Sequence, residues 1–168
     1  MISVKGQSQY GKAINKKYRS SACGPVTISV ILQYWNKPYS VNRLYKRLWA
    51  TKIGSFRFIM VCRLKKWLGG TWMVKSSNRI DEVIKELKRG HPVAAKFDKY
   101  FTFHFFQKPM YRYHWVVLIG YKIQNGQIYL FFHDNGAPGR SSKIRRISFQ
   151  EQSSVLRFVL LSPKNPPH

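Results

Sequence analysis

Acidic residues are scarce in this chain: six Asp and Glu stand against 30 Lys and Arg, which gives a net charge of +24 over 168 residues. So strong a positive charge predicts attraction to an acidic partner, whether nucleic acid, an anionic surface or an acidic protein. The basic residues are spread over every quarter of the chain, from Lys16-Lys17 to Arg145-Arg146. A dedicated nucleic-acid module concentrates them on one helix or ribbon, so nucleic acid is the less favoured partner.

Cysteines and long apolar runs are scarce as well. Cys23 and Cys62 do not form a CxxC pair, so the sequence indicates neither a zinc site nor a dithiol redox site, and we expect no cofactor. No apolar run reaches the roughly 18 residues that a membrane span requires, and no signal peptide opens the chain. The polar start fits either a native start or the cut edge of a larger protein. We therefore expect the chain to form one domain with a substantial hydrophobic core, since 44% of its residues are hydrophobic.

Helical patterns come first along the chain, and strand patterns follow. After a polar and mostly irregular segment at 1–22, with a short strand at 2–4, we expect helices at 23–35, 41–49, 56–68 and 79–88. Strands are expected at 71–74, 92–97, 113–123, 127–133, 143–149 and 155–161. The mainly helical half thus covers 23–90 and the sheet half 91–162. This order predicts an α+β fold, in which an antiparallel sheet packs on the first helix.

One hairpin and one helix start define the candidate site. Asn125-Gly126 is a strong turn signal between the strands at 113–123 and 127–133. Cys23 stands where a glycine turn leads into the apolar first helix, with Pro25 in its first turn. A helix N-terminus stabilises a thiolate, so we expect Cys23 to have a lowered pKa and to act as a nucleophile. From this stretch alone, a small buried hydrophobe is an equally good interpretation.

A nucleophilic thiol needs a base, and the best placed histidine is His114. It opens a buried strand, and the hairpin brings the far ends of its two strands together, so His114 is expected near Asp134 and Asn135. The latter two point to opposite faces, and we favour Asp134 as the group that orients the imidazole. The other histidines are less well placed, at a strand entrance, in an aromatic stretch, beside Asp134 or at the terminus: His91, His104, His133 and His168.

Four short motifs in this order resemble the pattern of papain-fold cysteine peptidases, and most closely the bacteriocin-leader (double-glycine) peptidase-like branch. They are Ala22-Cys23-Gly24-Pro25, Gly90-His91-Pro92-Val93, His114-Trp115-Val116-Val117-Leu118-Ile119-Gly120-Tyr121 and His133-Asp134-Asn135-Gly136. The resemblance implies that Cys23 attacks a carbonyl, that His114 transfers the proton and that Asp134 orients His114. It also implies an oxyanion donor before the cysteine, for which Gln9 is the candidate, although it lies farther upstream than the pattern has it.

The resemblance leaves the biological role open between several alternatives. Small, basic papain-fold domains are similar to toxin modules of bacterial antagonism systems. This implies a protein or peptide substrate, an acidic immunity protein as partner, and delivery into a target cell without a classical signal peptide, or otherwise a cytoplasmic location. The rivals are an amidase, deamidase or transglutaminase-like acyl transferase, and a non-catalytic nucleic-acid-binding module. Cys62, within the third helix, is expected to be buried and inert.

Overall fold

The computed structural model describes residues 1–98 and 113–166. The helices are α1 (Cys23–Tyr34), α2 (Val41–Arg47), α3 (Arg57–Leu68), α4 (Ile80–Lys88) and the short α5 (Phe149–Gln152). The strands are β1 (Trp72–Ser77), β2 (Val93–Asp98), β3 (Tyr113–Gln124), β4 (Gln127–His133), β5 (Ile144–Ser148) and β6 (Leu156–Pro163). They pair antiparallel in the order β1-β6-β2-β3-β4-β5, so the predicted α+β fold with an antiparallel sheet is confirmed.

The β3–β4 hairpin turns where the sequence predicts it. Asn125 and Gly126 both have positive φ, at 50° and 71°, which is the backbone of the two-residue turn that matches the twist of paired strands. The pairing of Gln124 with Gln127 closes the hairpin directly beside this turn. Its register carries the far end of β3, where His114 lies, towards the residues that follow β4.

The sheet buries both of its faces, which explains the continuous apolar run of β3. Trp115 and Val117 belong to the core cluster that contains α1, whereas Val116 and Leu118 belong to a second cluster that contains Val83 of α4. Successive side chains of a strand point to opposite faces, so a strand covered on both faces has no polar alternation. Helix α1 is buried from its first residue through Leu32, which accounts for its lack of a polar face.

Several local predictions differ from the structure at places where tertiary contacts, rather than local sequence, determine the backbone conformation. The segment predicted as irregular contains a 3₁₀ helix, Lys16–Ser21, and the strand predicted at 2–4 is not part of the sheet. Instead, the Ile2 N–H donates to the carbonyl of Ile119 at 2.6 Å, at the point where β3 bulges between Leu118 and Gly120. Helix α5 was not predicted, and α2 ends at Arg47 rather than at residue 49. Within the described residues, no helix has the length and apolar character required to cross a membrane.

Candidate active site

Cys23 is the first residue of α1, and its side chain is 5% exposed. Burial raises the pKa of its thiol above the ordinary value of 9.0, because the charged form loses its hydration. Backbone hydrogen bonds at Trp115 and Gly24 and the positive charge of Lys96 lower the pKa, but they do not outweigh burial. The expectation of a lowered thiol pKa at this helix start is therefore wrong, because the helix end is covered by the rest of the fold.

The segment before α3 closes over the start of α1. A Cβ on Gly24 would lie 2.6 Å from Ser55 Oγ and 2.9 Å from Met60 Cε, so only glycine fits beside the cysteine. The carbonyl of Ser55 accepts hydrogen bonds from Tyr113 Oη at 2.7 Å and Trp115 Nε1 at 3.0 Å. These contacts join α1, the segment before α3 and the first residues of β3 into one packed unit.

The Asn135 side chain connects helix α1 to the sheet. The residue is 1% exposed, and the two N–H groups of Nδ2 are shared among the carbonyls of Cys23 (2.9 Å) and Trp115 (2.7 Å) and Thr27 Oγ1 (3.0 Å). The first residue of α1 and the residue after His114 are therefore bound by the same nitrogen. The sequence argument weighed Asn135 only as an alternative partner for the imidazole, whereas the structure gives it this connecting position.

His114 is the second residue of β3, and it is buried enough to lower its pKa from 6.5 to about 4. Burial is the main cause; the charge of Asp134 raises the pKa, and the guanidinium of Arg140 lowers it again. Since Trp115 packs on α1, the alternation of the strand directs His114 to the opposite face. Cys23 and His114 thus approach the first residues of β3 from its two faces.

Asp134 follows β4 directly and is 1% exposed. Its carboxylate accepts from Arg145 Nε at 2.6 Å, from Arg140 Nη2 at 2.9 Å, and from the backbone N–H groups of Lys143 and Gly136. These donors lower its pKa from 3.8 to about 2, although burial acts in the opposite direction. The hairpin therefore brings Asp134 within electrostatic reach of His114, but two guanidinium groups share its charge.

Gln9 lies beside the site despite its distance along the chain. Its backbone N–H donates to the carbonyl of Asn135 at 2.9 Å, and its Nε2 donates to the carbonyl of Arg19 at 2.7 Å. Its side chain is buried, and Oε1 has no hydrogen-bond partner among the described residues. The fold therefore places Gln9 against Asn135, whose side chain binds the Cys23 carbonyl, despite the long segment between Gln9 and Cys23.

Sequence reasoning missed Lys96, a buried lysine of β2. It is 2% exposed, and its Nζ lies 2.7 Å from Asp98 Oδ2 and 4.5 Å from the centroid of the Tyr113 ring. It pairs across the strands with Trp115, on the face that packs against α1. The signal was a single lysine within the apolar run 93–97, because a buried cation in such a run needs a partner.

The remaining candidates lie away from this cluster or have structural partners. His91 Nδ1 lies 2.7 Å from Glu86 Oε2, and His133 Nδ1 lies 3.1 Å from Ser142 Oγ. His104 and His168 lie outside the described residues. Cys62 is exposed on α3, so the prediction that it is buried is wrong, and neither cysteine forms a disulfide. Among the described residues, no group of three His, Cys, Asp or Glu side chains is placed to hold a metal ion.

Known proteins that are similar to this chain identify its family and its fold. The model of the Peptidase_C39-like family matches residues 1–158. The peptidase domain of Streptococcus ComA, a bifunctional ABC transporter of a quorum-sensing pathway, is 18% identical with a TM-score of 0.60, over 98% of this chain and 100% of that domain. A double-glycine-motif protease from an AMS/PCAT transporter, solved with its leader peptide, is 15% identical with a TM-score of 0.61, over 97% of this chain and 94% of that one.

A more distant structure shares the fold, namely UfSP from C. elegans, at 12% identity and a TM-score of 0.59, over 99% of this chain and 35% of that one. No curated protein matches the chain. At such identities, the solved structures establish the papain-like fold alone, and the family model, which covers most of the chain, establishes the family. The chain therefore belongs to the Peptidase_C39-like family and is a cysteine peptidase with a papain-like fold.

Proposed function

We propose that Cys23 is the nucleophile of this peptidase, with His114 as the base and Asp134 as the residue that orients it. The observation that carries the proposal is the Asn135 side chain, which binds the carbonyls of Cys23 and Trp115. It fixes the helix start that bears the thiol against the strand end that bears the imidazole. A constellation of nucleophile, base and orienting group is what acyl transfer by a thiol requires.

The protonation states support a neutral resting pair. Burial raises the pKa of Cys23 and lowers that of His114 to about 4, so near neutral pH the sulfur keeps its proton and the imidazole is free to accept one. Attack of the sulfur on the peptide carbonyl then passes its proton to His114, which returns it to the leaving amine. Water hydrolyses the resulting thioester, releases the carboxylate product and restores the thiol. Direct transfer requires the imidazole to turn towards α1 at the end of β3.

Two donors are proposed for the oxyanion. One is the backbone N–H of Cys23, and the other is Gln9, whose Nε2 carries two hydrogens and uses one of them on the carbonyl of Arg19. Removing one donor of this kind costs about 2.7–4 kcal/mol of transition-state stabilisation. Gln9 is buried next to Asn135, which limits how far its amide can move away from the nucleophile.

The first substrate to test is a leader peptide with a double-glycine motif, since one similar protease was solved with its leader peptide. Wild type should cleave it to two fragments, seen by intact-mass measurement, and Cys23→Ser should abolish cleavage. His114→Gln should lower the rate by about 10²–10⁴-fold. The matched control is Cys62→Ser, which changes an exposed thiol on α3 and should retain full activity. Cleavage that survives Cys23→Ser would refute the proposal, and a small mass shift without fragments would indicate deamidation instead.

The charge distribution supports a role as the effector domain of a bacterial antagonism system, held silent by an acidic immunity protein. Residues 1–80 contain no Asp or Glu and sixteen Lys or Arg. Five of the six acidic residues form ion pairs within the described chain: Asp81, Glu82, Glu86, Asp98 and Asp134. Little negative charge is thus left to offset the helical half, which favours fast association with an acidic protein. Co-purification with acidic products of neighbouring genes tests this role, and the absence of any tight complex would refute it.

A further inference from the structure

A buried ion pair of lysine and aspartate lies behind the thiol. Lys96 is 2% exposed, and the Asp98 side chain is 13% exposed. Burying two charges costs several kcal/mol per ion, which their attraction repays only with good geometry and complete hydrogen bonding. Here Asp98 Oδ1 is buried without a hydrogen-bond partner among the described residues. Stability alone is therefore a poor explanation for a charged pair at this position of β2.

The environment of Lys96 directs its charge towards Cys23. Lys96 pairs with Trp115 across the strands, and the Cys23 thiol interacts with the backbone of Trp115, so the two residues meet at the same residue of β3. The Lys96 ammonium also lies 4.5 Å from the centroid of Tyr113 and 5.9 Å from that of Trp115. These aromatic faces bind a cation and exclude water, which leaves its charge poorly screened.

Asp98 does not cancel this charge by itself. Its carboxylate also interacts with the guanidinium of Arg57, which in turn is repelled by that of Arg157. Two cations, Lys96 and Arg57, thus share one carboxylate, and Arg157 adds a further positive charge close to Arg57, so the group carries an excess of positive charge. An excess of positive charge near a thiol favours the thiolate over the neutral form.

We propose that Lys96 is a positioning residue of the peptidase, whose buried ammonium is the fixed countercharge against which the Cys23 thiolate forms. Lys96 keeps its own protons throughout, and the proton of the thiol passes to His114. The inference rests on the proposed role of Cys23 as nucleophile. In this proposal, Lys96 of β2 supplies a positive charge that stabilises the thiolate. The Cys–His–Asp constellation supplies little such stabilisation, because Arg140 and Arg145 share the charge of Asp134 and so weaken its support of a protonated His114.

The test measures alkylation of Cys23 by iodoacetamide across pH, in a Cys62→Ser background so that a single thiol reacts. The titratable and charged groups that act on this thiol are Lys96 from β2 and Tyr113 from β3. We expect Lys96→Met to shift the rate profile by about one pH unit to the alkaline side, which slows the reaction about tenfold at neutral pH. Lys96→Arg keeps the charge and should restore most of the rate.

Two further variants keep the proposal falsifiable. Lys96→Met leaves Asp98 buried without its partner, so Lys96→Met/Asp98→Asn provides a neutral pair that folds if the single variant does not. The matched control is Lys75→Met, which removes the exposed ion pair between Lys75 and Glu82, also a short pair at 2.8 Å. This variant should leave the rate profile of Cys23 unchanged. An unshifted profile in the folded double variant, or an equal shift in Lys75→Met, would overturn the proposal. Alkylation needs no peptide substrate, so this result is independent of whether Cys23→Ser abolishes cleavage.

Discussion

Replacing Asn135 by alanine tests the connection between α1 and β3. The Asn135 amide is 1% exposed, and its two N–H groups are shared among three oxygens, those of Cys23, Thr27 and Trp115. At roughly 1 kcal/mol for each of its two N–H donors, plus about 1 kcal/mol for the buried oxygens left without a donor, Asn135→Ala should lower the free energy of unfolding by about 3 kcal/mol. In a chain of this size, the melting temperature should fall by roughly 10 °C.

The control for this variant is a half-buried amide whose hydrogen bonds are exposed to solvent. Asn42 Nδ2 donates to the carbonyl of Ala13 at 3.0 Å, and its Oδ1 accepts from the Asn15 N–H at 2.9 Å. Water can replace both of these partners, so Asn42→Ala should cost about 1 kcal/mol or less. Chemical denaturation followed by tryptophan fluorescence measures both variants. If the two variants cost the same, Asn135 does not hold the helix to the strand as argued.

An isosteric variant adds a pH signature to the same test. Asn135→Asp places a carboxylate against two carbonyl oxygens and a hydroxyl, so the pKa of the new acid should be raised in the folded state. A raised pKa means that the folded state binds the proton more tightly, and stability is lost as pH rises through the ordinary carboxyl range. Asn135→Asp should therefore be less stable than Asn135→Ala at neutral pH, and the difference should shrink below about pH 4–5. A difference that is independent of pH would contradict the assigned contacts.

Three further predictions follow from the pKa directions and the glycine positions. At neutral pH, iodoacetamide should label the exposed Cys62 before the buried Cys23, and the labelling rate of Cys23 should still rise at pH 9 because its thiol pKa is raised. Mass spectrometry of the two cysteine peptides measures both rates. A Cys23 rate that reaches its plateau below neutral pH would contradict the raised pKa. The pKa of His114 is lowered from 6.5 in the unfolded chain to about 4 in the folded state, so the unfolded chain binds the proton first as the pH falls. Acidification from pH 6.5 to about pH 4 should therefore lower the free energy of unfolding by up to about 3 kcal/mol. His114→Gln should not show this loss. Gly136→Ala should destabilise the fold by at least about 2 kcal/mol, since φ is +72° and a Cβ would lie 2.6 Å from the backbone oxygen of Arg140. Gly139→Ala should cost only about 1 kcal/mol, because Gly139 has a similar φ of +70° but no atom within 4 Å of an added Cβ. Equal losses in the two glycine variants would show that the close contact does not matter.

The elements were predictable from the sequence because their signals are local. The turn at Asn125-Gly126 needs two residues at positive φ, and the end of α3 needs Gly69, whose φ is also positive, at 63°. The faces of Asp134 and Asn135 were also predictable, since neighbouring residues in an extended segment alternate. The structure divides them in this way, with the charge of Asp134 acting on His114 and the amide of Asn135 binding the carbonyl of Cys23.

The electrostatics of the site were not predictable from the sequence, because they depend on burial across the whole fold. A helix start beside Gly24 indicated a stabilised thiolate, but the loop at Ser55 and strand β3 cover this end of α1, and burial dominates the pKa of Cys23. Similarly, the sequence did not indicate that Arg140, in the loop after β4, and Arg145, on β5, contact Asp134. A pattern of residue types gives neighbours along the chain, whereas these contacts come from segments that meet only in the folded protein.

The surroundings of His114 and Cys23 favour one resting state, with a neutral imidazole and a protonated thiol. Arg140 opposes protonation of His114 and also shares the carboxylate that would stabilise an imidazolium. On the other face of β3, burial keeps the proton on Cys23, and Lys96 is the group whose charge favours its removal. With Cys23 as the proposed nucleophile and His114 as the proposed base, transfer of the proton from sulfur to imidazole is unfavourable before a substrate binds, so the interactions that reverse this balance have to be made in the transition state. Under these proposed roles, the thiol stays protonated and poorly reactive until a carbonyl is in place.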